Sequence, residues 1–171
     1  FDTLTAESEQ QNGFIPLYWH TGEGRLYGEV ARLYTPFIYY PSLSQGVGSN
    51  DLGLDRGRLG DTQLVQFERV GPRLLLMALN TRYRASSDNP NERRAVSEAF
   101  ARSVLWGFDI AAEQDGRMLI DLTAFAQRDA LGLSGLLEER GEGSYAVDSQ
   151  RSAVNLARSK AFPDNTEIDA L

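Results

Sequence analysis

The chain has 171 residues, 42% hydrophobic and 10% aromatic, which is enough for one domain with a real core and argues against wholesale disorder. Its net charge of −7 disfavours a nucleic-acid partner or an anionic membrane surface. No apolar run approaches the ~20 residues that a membrane-spanning helix needs, and the absence of cysteine excludes a disulfide framework and thiol catalysis.

The chain opens on Phe1, which reads as a mature product or an excised fragment. Residues 1–12 are polar and read as a linker or lead-in, with one domain over 13–171. Residues 14–19 and 25–30 read as two strands of a hairpin turned by His20, Thr21, Gly22, Glu23 and Gly24, with Pro16 placing the first strand at an edge. Phe37, Ile38, Tyr39 and Tyr40 form another short strand between prolines.

A glycine-rich stretch, QGVGSNDLGLDRGRLGD at 45–61, follows. After it, 62–70 reads as a half-buried strand and 74–79 as a central one, apolar on both faces. Asn89 and Pro90 open a helix, with Ala95, Val96, Ala99, Phe100, Ser103 and Val104 at helical spacing and Glu98 paired with Arg102. Alternation up to Asp115-Gly116 and back through Met118, Ile120 and Leu122 predicts a second hairpin. Residues 123–129 and 132–140 read as short helices, and 144–147, 152–157 and 166–171 as strands. The expected class is α+β: a mostly antiparallel sheet with one main helix at about 90–104 and short C-terminal helices.

Site chemistry is sparse. One histidine and no cysteine leave no zinc site of the usual donors, and His20 reads as an exposed turn residue. The glycine loop misses the EF-hand pattern at several positions. It also lacks the closing Gly-Lys-Ser/Thr of a phosphate loop, and Asp51 stands where a dinucleotide fingerprint needs its third glycine. Asp51 and Asp55 supply a carboxylate pair, but pairing with Arg56 or Arg58 accounts for them as well. The candidate binding residues are Asn50, Asp51, Asp55 and Arg56 of this loop, with Arg82 and Arg84; these two, with Arg93 and Arg94, read either as a carboxylate or phosphate clamp or as local partners of Asp88, Glu92 and Glu98. No catalytic or metal-binding residue is assigned. The aromatic first quarter suits a sheet core, an interface to another domain, or a peptide or glycan groove.

The stretches GFIPLYW, GVGSNDLGLDRGRLG, VQFERVGPRLLL, YRASSDNPNERRAVSEAFARSVLWGF and SRSAVNLARSKAFPDNTEI resemble the uncharacterised region N-terminal to the catalytic domain of large bacterial zinc-dependent metallopeptidases. That resemblance implies a periplasmic or secreted parent whose zinc is held by an HExxH motif in a separate domain. This chain contains no HExxH, so no catalytic residue and no cofactor carries over to it. The expected role is a non-catalytic accessory domain that packs on or gates the peptidase domain of the same protein and meets its peptide substrate. The alternatives are a peptide- or glycan-binding module and, last, an enzyme using the loop carboxylates.

Overall fold

The computed structural model describes residues 1–46, 50–81, 83, 86 and 88–171. Eight strands form one antiparallel sheet: β1 Ser8–Gln11, β2 Leu17–His20, β3 Arg25–Val30, β4 Phe37–Tyr39, β5 Gln63–Val70, β6 Arg73–Ala78, β7 Ser103–Gln114 and β8 Arg117–Asp121. Their order across the sheet is β1-β2-β3-β8-β7-β6-β5-β4. The twelve-residue β7 joins two halves: its first part pairs with β6 and its second part with β8. Register shifts at Leu76/Met77 and at Ile110/Ala112 mark irregularities on both sides of it. Such bulges sharpen twist and let a strand turn from one sheet into the next.

One core unites the halves. Leu17, Leu26 and Val30 from the first strands pack in the same cluster as Val65, Phe67, Leu74, Leu76, Phe108, Met118 and Ile120, so the sheet curls around a single interior. The other face of β2, β3 and β8 is covered too. Tyr18, Tyr27 and Leu119 pack beneath Phe1 and Leu4 around helix α1, Asp2–Ala6. Residues 1–12 thus supply a helix and an edge strand, and β2 lies inside the sheet with β1 beside it.

The α+β expectation with one main helix is overturned. Helix α2 spans only Pro90–Ala99 and buries none of its residues, while Ser103 and Val104 open β7. Asn89 does cap α2, its side chain accepting from the amide of Asn91 at 3.0 Å. Glu98 pairs with Arg94 at 2.7 Å, and Arg102 instead reaches Glu68 on β5 at 2.5 Å. The fold is sheet-dominated. Its remaining helices, α3 Thr123–Gln127 and α4 Leu133–Glu139, are also short.

The Asp115-Gly116 hairpin forms as its residues dictate, with φ of 51° and 76° in the turn. Of the three C-terminal stretches read as strands, 144–147 is not one and 152–157 gives a single bridge, Val154 to Ala170. A small hairpin forms from β9 Lys160–Ala161 and β10 Thr166–Glu167. It straps the chain before β2: Phe14 donates to the carbonyl of Phe162 at 2.7 Å, and Thr166 Oγ1 bonds both the amide and the carbonyl of Ile15.

Candidate functional site

The glycine loop is held by backbone contacts. Leu43 donates to Arg58, Gly57 to Leu43 and Gly60 to Pro41, at 2.8–2.9 Å, tying the loop's return to the segment after β4. Leu54 plugs the loop into the body at 1% exposure. Gly57 turns at φ +83°, where an L-side chain is strained.

The arginines there do not pair with the aspartates. Arg58 donates to the carbonyl of Gly53 at 2.7 Å, and Arg140, just past α4, donates to the carbonyls of Asp51 and Leu52. Asn50 opens a short 3-10 turn, Asn50–Leu52. Asp51, Asp55 and Arg56 are exposed, and their side chains make no hydrogen bond or ion pair among the described residues. Arg82 and Arg84 lie outside the described residues. Of the neighbouring arginines, Arg93 donates to the Asp88 carbonyl at 2.8 Å and Arg94 holds Glu98 at 2.7 Å.

What the fold does bring together is a shallow groove of about 440 Å³ between the end of this loop and the turn joining α3 to α4. Tyr39 and Gln63, paired across β4 and β5, stand on one side with Pro41, Arg58, Leu59, Gly60 and Asp61. Leu105, Arg128 and Asp129 are among the residues opposite. Arg128 is the organising residue. Its guanidinium lies 3.6 Å from the centre of the Phe125 ring and within 6 Å of Trp106 and Tyr39. It donates to the Phe125 carbonyl and, at 2.5 Å, to the Tyr39 hydroxyl.

Asp129 beside it caps α4, accepting from the amides of Leu133 at 2.7 Å and Ser134 at 2.8 Å. Burial pushes its carboxyl up, but the amides of Ser134, Leu133 and Gly132 outweigh that and hold it below the ordinary aspartate value. The loop side of the groove, Arg58 to Asp61, belongs to the glycine-rich stretch, but no sequence signal marked Arg128 or its meeting with Tyr39. Tyr39 and Arg128 are 89 residues apart, and neither lies in a motif.

On the far face, His20 is 7% exposed, not the exposed turn residue its neighbours suggested. Its Nδ1 accepts from the amide of Glu23 at 3.1 Å, so the ring proton sits on Nε2 and points to Glu7 at 3.2 Å. Nearby, Tyr18 donates to Glu29 at 2.7 Å, and Arg117 stands 3.6 Å from the same carboxylate. The His20–Glu7 contact fastens the chain between α1 and β1 to the sheet, and the Tyr18, Glu29 and Arg117 contacts tie β2, β3 and β8 together. Among the described residues no group of three or more His, Asp or Glu is placed to hold a metal, and no helix is long and apolar enough to cross a membrane.

Residues 57–171 match the family model described as Domain of unknown function (DUF5117). The chain belongs to the DUF5117 family. No curated protein and no solved structure matches it. Within this DUF5117 domain the matched segment supplies β5 to β10, and therefore the four contiguous strands β8-β7-β6-β5 of the large sheet. Strands β1 to β4 precede it and complete both edges. Arg128 and Gly60 lie inside the matched segment, while Tyr39 lies before it.

Proposed function

We propose that this DUF5117 domain is a non-catalytic accessory domain of an exported zinc metallopeptidase, packing on or gating the catalytic domain of the same protein. The resemblance of its long segments to the region ahead of such catalytic domains motivates the reading. The observation that carries it is three exposed apolar side chains in the C-terminal stretch. Tyr145, Val147 and Leu171 are 58%, 48% and 66% exposed. The first two sit in a segment that no strand joins. Apolar side chains left in water on an unpaired segment favour a neighbour. Full burial of each is worth about 1.5–3 kcal/mol before ordering costs are subtracted. The zinc and the general base belong to the parent's HExxH motif, and no chemical step runs through this chain.

The test begins with the complete coding region, which should contain HExxH in the same chain as this domain. In that complete protein, Val147→Asp should change peptidase activity without lowering zinc content. A complete chain without HExxH, or activity indifferent to Val147→Asp and Leu171→Asp alike, contradicts the reading.

A further inference from the structure

The free edge of β4 lies beside the Arg128 groove. Leu64 receives a backbone hydrogen bond from Leu79 at 2.8 Å, so its polar groups face β6. Ile38 is paired opposite Leu64. By the alternation of an antiparallel ladder, its own N–H and C=O therefore point away from β5. No described residue bonds them. The Ile38 and Tyr40 side chains, two residues apart, are 67% and 54% exposed. Tyr39 between them turns to the groove and meets Arg128.

The charge in that groove is uneven. Asp129 is answered by the α4 amides, which leaves the guanidiniums of Arg58 and Arg128 against one exposed carboxylate, Asp61. Arg128 engages two acceptors, and a guanidinium carries five N–H donors.

Resting on the reading of this chain as a peptidase gate, we propose that β4 takes an extended substrate polypeptide as a ninth strand, selecting alternation of apolar and acidic residues. The residue exchanging both main-chain bonds with Ile38 lies on the apolar side, next to Ile38 and Tyr40. Its two neighbours point to the opposite face, and the one beside Tyr39 puts a carboxylate towards Arg128 or Arg58.

The experiment is an anisotropy titration of the 171-residue chain with a labelled octapeptide of alternating valine and glutamate. Saturable binding is expected, on the order of tenfold tighter than for the valine–lysine peptide. N-methylation of every valine amide should abolish it, Arg58→Gln or Arg128→Gln should weaken it, and Asp61→Asn should strengthen it. No saturable binding, equal affinity for the lysine peptide, or indifference to N-methylation overturns the proposal. The peptide controls leave the protein unaltered, so they decide the matter even if Arg128→Gln does not fold. Docking on the catalytic domain is read separately in the complete protein, so either idea can fail alone.

Discussion

Gly60 is wedged where the glycine loop meets the body. A Cβ there falls 2.7 Å from Pro41 Cγ and 2.8 Å from Leu131 Cδ2. Pro41 is a ring without freedom to swing aside, so Gly60→Ala should cost about 1–3 kcal/mol, read as a lower melting temperature. Asp55→Ala, by contrast, removes an exposed side chain with no hydrogen bond or ion pair among the described residues, and its urea midpoint should shift by no more than about 0.5 kcal/mol equivalent. Tyr18 gives a pH signature. Burial, the hydrogen bond to Glu29 and the charge of Glu29 push its phenol from 10.0 up to about 12. Because the folded value lies above the unfolded one, this contribution is intact below pH 10 and is lost as pH rises towards about 12. Tyr18→Phe should lose less stability than wild type across that window in urea melts. At this scale the sequence told where glycine was needed, because a positive φ leaves its mark in residue type. It could not announce Arg128: Phe125 is three residues away, but Tyr39 and Trp106 reach it only in the finished sheet.

Hairpins and cap were legible because their signals are local: Asp115-Gly116 demands its turn, and Asn89-Pro90 starts α2 as written. The end of α2 was not. Ala95 to Val104 repeats at helical spacing, yet Ser103 and Val104 pair with Ala78 and Met77 in β7, because long-range pairing with β6 overrides a weak local preference. The expected main helix therefore stands outside the core. Val96→Ala in α2 should change the melting temperature little, while Ile120→Ala in β8, at a fully buried position, should cost about 2–5 kcal/mol. Amide exchange should follow the same order, fast through α2 and slow through β3 and β8.

For the molecule as a whole, the segment matching the family model is smaller than the fold it serves. Residues 57–171 carry four contiguous inner strands, but Leu17, Leu26 and Val30 of the shared core, and the strands at both sheet edges, precede them. A fragment 57–171 should expose two unpaired edges and a core stripped of Leu17, Leu26 and Val30, and aggregate when expressed alone; adding 1–56 in trans should restore a cooperative melt. This boundary was invisible in the sequence, because non-consecutive strands become neighbours only in the finished sheet. The proposal of an accessory domain rests at this scale on the exposed apolar side chains Tyr145, Val147 and Leu171. Hydrogen–deuterium exchange, comparing this chain alone with the same residues inside the complete protein, tests it most directly. Docking on the catalytic domain predicts added protection over 144–148 and 169–171; identical exchange in both settings would contradict it.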